Sequence, residues 1–181
     1  MQLGANGDFG YATTDAGGHF TLSHATSYIW FDPWSQEVDA RLVSVSLATA
    51  DRTIALCGTR TFDGGGFGAA TGGEYAVTLS FGAEGVALPA SGGDTRVFAA
   101  AVVYPVDCSA TEVHVTYTFA DGSAYTETRP GRKLEAGAAY RLTSEITKRA
   151  GGAVGIEAGG GGRGNGGRGG GGGGGRGEGG G

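Results

Sequence analysis

Three histidines, His19, His24 and His114, are the first residues of this 181-residue chain to raise the question of catalysis or metal binding. Imidazole ligates metals and moves protons near neutral pH. His19 and His24 stand an odd number of positions apart, so within one continuous strand they face opposite sides. The carboxylates Asp32, Glu37 and Asp39 flank a Pro/Trp turn and form a candidate calcium set, although a solvated turn explains the same residues. No G-x-S-x-G, H-E-x-x-H or P-loop pattern is present. Gly64, Gly65 and Gly66 invite a phosphate-loop reading, but no Lys-Ser/Thr follows and no helical pattern opens after them. A floppy surface loop is the better reading.

Cys57 and Cys108 are far apart and outside any C-x-x-C spacing, which argues against zinc. Both follow apolar runs. Buried free thiols are one reading and a single disulfide, in an oxidising compartment, is the other. Trp30 and Trp34 lie four apart around a turn, where core packing or turn anchoring is the default. With Tyr28 they also form a candidate platform for stacking a glycan. Asp121 and Glu127 read as ordinary solvated positions. These residues point to a protein that is not an enzyme and takes no cofactor or metal.

Such groups need a scaffold, and composition divides the chain. It contains 40 glycines. From Gly151 onward it lacks the apolar content to bury anything, so 151–181 reads as a disordered Gly/Arg low-complexity tail. Residues 1–150 have the size of one domain and suffice for a core. The tail holds Arg163, Arg168 and Arg176 against Glu157 and Glu178, a balance of +1, which leaves −6 of the net −5 on the remainder. An acidic domain repels phosphate, so nucleic-acid binding by the folded part is disfavoured. The Arg-Gly tail keeps an RNA-associated reading alive, on a weak electrostatic footprint. The first ten residues show no basic or apolar signal-peptide region. No run approaches the ~20 apolar residues of a membrane span.

Strand signals dominate. His19–Leu22 and Ala25–Phe31 come first, the second apolar on both faces and ended by Asp32-Pro33. Residues 42–49 place Val43, Val45 and Leu47 on one face, and a turn at 50–52 leads to 53–57, predicting a hairpin. Residues 59–74 read as a Gly-rich loop with Phe62 and Phe67 as anchors. Tyr75, Val77, Leu79 and Phe81 alternate inward. The segment 97–105, apolar on both faces, is the candidate central strand. Residues 112–119 and 123–129 form the clearest hairpin, turning at Asp121-Gly122. The last strand puts Tyr140, Leu142 and Ile146 on one face, and Ser144 interrupts that face, which suggests an edge position. About eight or nine short strands with no helix predict an antiparallel β-sandwich.

Three stretches together resemble the fimbrillin family, subunits of type V pili in Bacteroidales. In residues 7–32, Asp8, Ala12, Phe20, Leu22, His24 and Ala25 hold the positions of its D-x-x-x-A stretch and the strands that follow. Residues 97–107 are similar to its strand ending at proline. The hairpin at 121–128 and the closing strand, with Leu134, Ala136, Gly137, Tyr140 and Leu142, complete the likeness. It covers about residues 7–148 and is carried by the order and spacing of the three stretches. The resemblance implies a transthyretin-like sandwich, the first of two such domains, in a pilus or adhesin at the cell surface. It implies partners that are other pilus subunits joined by strand exchange, and a host or glycan ligand. Family precursors carry a secretory signal and a lipidation cysteine. Neither stands in these residues, so membrane attachment is expected only through an anchor outside them.

Overall fold

A computed structural model gives the fold, describing residues 2–3, 8–36, 41–91 and 98–147. Glu37, Asp39, Val97 and the glycine-rich tail lie outside the described residues. In chain order the strands are β1 (Gln2–Leu3), β2 (Gly10–Thr14), β3 (Phe20–His24), β4 (Ser27–Trp34), β5 (Arg41–Thr49), β6 (Cys57–Phe62) and β7 (Phe67–Glu74). They continue with β8 (Ala76–Ser80), β9 (Val86–Ala87), β10 (Ala99–Val103), β11 (Glu112–Phe119), β12 (Ala124–Pro130) and β13 (Ala139–Glu145). The chain is all-β.

Two sheets form the sandwich. One runs β10-β4-β13 and the other β12-β11-β5-β8, with β9 also pairing β5. Their inner faces meet through Ile29, Phe31, Ala101, Val103 and Ile146 on one side and Leu42, Val45, Leu47, Val77, Val115, Tyr117 and Phe119 on the other. Fully burying an aliphatic or aromatic side chain of this kind contributes about 1.5–3 kcal/mol. A third sheet, β1-β6-β7, and a two-stranded ribbon, β2-β3, complete the fold.

Alternation placed the elements, and several partners differ from expectation. The hairpin β11–β12 turns at Asp121-Gly122 as predicted, with Gly122 at φ 80°. The final strand keeps its predicted phase and sits at a sheet edge, yet it pairs with β4 in parallel, from Ala139↔Tyr28 to Glu145↔Trp34. β4 is therefore the central strand of its sheet. The segment expected there, β10, is an edge.

Nor does β4 stop at Pro33. The Phe31 carbonyl accepts from the Phe98 N–H on the β10 side. Pro33, two residues on, points its backbone the same way, past the last β10 pair, Ala99↔Phe31. No ladder bond is lost there, which is the condition under which a strand tolerates proline.

The expected hairpin between 42–49 and 53–57 does not form: β5 pairs with β11, β8 and β9. Asp51 caps a tight turn by accepting from the Thr53 N–H and hydroxyl, and the chain then enters β6 in another sheet. Leu42, not Val43, reaches the core, because a register shift opposite Phe119 leaves Val43 as an extra residue in β5. The Gly-rich 59–74 segment is the hairpin β6–β7 rather than a loop. Its turn is closed by Asp63, which accepts from the N–H groups of Gly65 and Gly66. Phe62 and Phe67 do anchor it. Their rings pack 5.2 Å apart within a cluster that includes Phe9, Tyr11 and Tyr104. These added pairings raise the strand tally above eight or nine.

Candidate binding cleft between two sheet edges

On one side of the sandwich the edges of β12 and β13 do not close. Between them lies a cleft of about 620 Å³. Its apolar lining includes Ile29, Leu47, Leu56, Val113, Leu134 and Leu142, and its charged rim is Arg129, Arg132, Lys133 and Arg141.

One end of the cleft is stitched shut. Ser144 donates its only hydroxyl hydrogen to Glu127 Oε1 at 2.6 Å, so the buried Tyr117 phenol donates to Ser144 Oγ, also at 2.6 Å. Arg129 donates to Glu127 at 3.0 Å and to the Thr143 carbonyl at 2.5 Å. Burial pushes the Tyr117 hydroxyl far above its ordinary pKa, more than its bond to Ser144 lowers it. Glu127 therefore faces inward, contrary to the solvated position expected of it; Asp121 caps its own turn by accepting from Ser123.

The other end is open, and backbone direction distinguishes its two rims. Ala138 O accepts from Tyr28 and the Ile146 N–H donates to Trp34, so even-numbered residues of β13 bond to β4. Ala139, Arg141 and Thr143 point their backbone groups at the cleft edge, and Arg129 already covers Thr143. On β12 the Gly131 N–H donates to Thr111 O, so odd-numbered residues bond to β11. Thr126, Thr128 and Pro130 face the free edge. Proline blunts that rim because it has no N–H to give. The rim that keeps its backbone N–H groups on the cleft side is β13, beginning at Ala139.

The residues singled out in the sequence fall into place around this edge. Gly137 starts β13 from φ 75°, its N–H donating to Thr26 O at 2.7 Å, and a Cβ there would face His24. Tyr140 accepts from the Glu135 N–H at 2.8 Å, with Arg132 5.7 Å from its ring centre. Leu142 lines the cleft. His24 bonds Asp8 at 2.6 Å and Tyr28 at 2.7 Å, while Thr26 donates to Asp8 at 2.7 Å. Ala25 is buried, its N–H on Phe9 O. The early and late stretches of the resemblance thus meet at one end of the molecule.

Other candidates separate. His19 bonds Asp15 in an exposed turn, and His114 bonds Thr128. Among the described residues no three of His, Cys, Asp and Glu converge as a set able to hold a metal. Asp32 is not in a solvated turn: it is buried on the outer face of β4 and takes two bonds from Arg141, at 2.8 and 3.1 Å. Tyr28, Trp30 and Trp34 share that outer face with it. Trp30 is 38% exposed and lies on solvent's side of the sheet, not in the core. Cys57 and Cys108 are buried free thiols, both pushed up in pKa chiefly by burial.

Sequence reasoning missed the Tyr117–Ser144–Glu127–Arg129 network. Its one signal was the lone Ser144 on an apolar strand face.

No family model matches this chain, and no curated protein sequence matches it. Solved structures similar to it include a putative cell adhesion protein from Bacteroides ovatus ATCC 8483. That one is 19% identical, with 78% of this chain and 56% of that chain covered, at a TM-score of 0.48. A putative cell adhesion protein from Bacteroides fragilis NCTC 9343 is 16% identical, with 80% and 55% covered, at a TM-score of 0.46. The chain spans a little over half the length of each.

Proposed function

We propose that this chain is a non-enzymatic module of a cell-surface structural or adhesive assembly, and that a partner's β-strand is laid along β13 over the cleft. The observation that carries this reading is the pairing of an apolar-lined cleft with the edge strand β13, whose Ala139 turns its backbone toward the cleft. An added strand would pair that edge and bury alternate apolar side chains against Leu142, Val113 and Leu134. Backbone pairing would give affinity and the lining would select side chains at every second position.

The test uses Ala139→Pro, which removes an N–H on the free side of β13 while leaving every bond to β4. An alternating Val/Thr decapeptide in excess should protect the Ala139 amide from hydrogen exchange in the native chain and should bind A139P far more weakly. Peptide binding that ignores A139P would overturn the reading.

A second reading, a carbohydrate-binding module, is favoured by the placement of Trp30 on an outer face beside Tyr28, Trp34 and the Asp32–Arg141 pair. Trp30→Ala should then abolish retention on a glycan array without altering peptide binding in the cleft. Retention unchanged in W30A removes this reading. The RNA-associated reading rests on the tail, and loss of low-salt RNA binding on deleting 151–181 would support it.

A further inference from the structure

We propose that the cleft is a binding site for a single-chain aliphatic carboxylate, its tail on the apolar floor and its head group on Arg132. This goes beyond the strand reading, because a small amphiphile needs the cavity and its charge but no backbone edge.

The floor suits an alkyl chain. Ile29, Leu47, Leu56 and Leu134 belong to the core, each at most 7% exposed, yet they line the cleft. Its volume of about 620 Å³ falls within the ~300–1,000 Å³ usual for small-molecule sites, which are mostly apolar with a few placed polar groups. Cys108, the sulfur on this lining, is a buried thiol and packs as a small hydrophobe. The lining also has a direction. Leu134 and Tyr140 stand at the open end beside Arg132. Leu142 and Val113 stand toward the stitched end, Val113 being the ladder partner of Arg129. A chain entering at the open end therefore runs along hydrocarbon until the stitch stops it.

The charge at the mouth asks for one anion. Arg129 pairs with Glu127, Lys133 with Glu135 and Arg141 with Asp32. Asp107 bridges to Lys133 and accepts from Ser109, so its field acts on that lysine. Arg132 meets no carboxylate among the described residues and lies 5.7 Å from the Tyr140 ring centre, which leaves its charge in place. A guanidinium there can hold a carboxylate through two parallel bonds, at the point where the apolar strip begins.

Calorimetric titration of the full chain with decanoate, below its micelle concentration, tests this. Binding should saturate at one site, and affinity should rise about threefold to fourfold per methylene from octanoate to dodecanoate. Arg132→Gln should weaken decanoate about threefold to fivefold, as for an exposed ion pair, and leave decanol unchanged. Leu142→Asn should weaken decanoate and decanol alike, by about tenfold. Arg132 is exposed and Leu142 half-buried, so both variants should stay folded, which circular dichroism verifies.

No saturable decanoate binding overturns the proposal. So does binding that neither R132Q nor L142N weakens, since the ligand then sits elsewhere. The Val/Thr decapeptide separates this site from the strand reading. Decanoate should displace it, and both bound at once would remove decanoate from the floor. A decapeptide that binds where decanoate does not sinks this proposal alone; decanoate that binds where the decapeptide does not sinks the strand reading alone.

Discussion

Tyr117 on β11 and Ser144 on β13 hydrogen bond across the sandwich at 2.6 Å, and both residues are buried. Because Ser144 gives its hydrogen to Glu127, the direction of this bond is fixed. Ser144→Ala strands a buried phenol donor and removes a donor from Glu127. It should cost about 1–3 kcal/mol, the penalty of an unsatisfied buried group. Tyr117→Phe removes the phenol outright and should cost only about 0.5–1.5 kcal/mol. Urea unfolding of the two variants checks the order, which reverses if the hydroxyl pair is idle.

The same phenol predicts the alkaline limb. Its folded pKa is raised above the ordinary value of 10.0, mainly by burial. A raised value means that the stability it supplies is complete below pH 10.0 and is lost as pH rises from there toward the folded value. The native chain should lose stability above that pH, and Y117F should lose less. Tyrosinate absorbance in the near ultraviolet should rise together with unfolding.

Acid should loosen the β2–β3 ribbon. Burial acts to raise the Asp8 carboxyl, but bonds from Tyr28, Thr26 and His24 outweigh it and hold it below its ordinary 3.8. Asp15, Asp51, Asp63 and Asp107 are also lowered, by backbone and hydroxyl donors around them. For depressed carboxyls the stabilisation is complete above pH 3.8 and is lost as pH falls through the folded values. Amide exchange in β2 and β3 should accelerate below that pH. Asp8→Asn should bring faster exchange to neutral pH and flatten the acid dependence.

Gly131 is fixed by space. A Cβ there would stand 2.0 Å from Cys108 O and 2.6 Å from Thr111 O, both backbone atoms that cannot step aside. Gly131→Ala should cost at least the ~1–3 kcal/mol of overpacking and should disturb the cleft rim next to Arg132. Thermal unfolding measures it; an unshifted Tm would show that the 108–111 turn relaxes freely.

Neither thiol should react in the folded chain. Cys57 and Cys108 are buried and their pKa values lie above the ordinary 9.0. A disulfide-exchange reagent at neutral pH should titrate none before denaturant and both after it.

Much of this architecture is local and could be read from residue order. Alternation at period two gave the all-β class, the phase of the last strand and the inward residues of β8. The Asp121-Gly122 turn closed its hairpin because its chemistry needs no distant partner. Gly137 adopts positive φ for the same reason. Phe62 and Phe67 were visible as anchors, though not the hairpin they hold.

What the fold alone decided depends on residues brought together from far along the chain. No alternation rule states that β13 lies parallel to β4, that Val43 is an extra residue in β5, or that Glu127 turns inward to meet Ser144. These follow from register, and a one-residue choice of register exchanges the two faces of a strand. The cleft is of this kind. It exists because β12 and β13, each complete on one side, approach closely enough to be stitched at Ser144 and not closely enough to pair at Ala139.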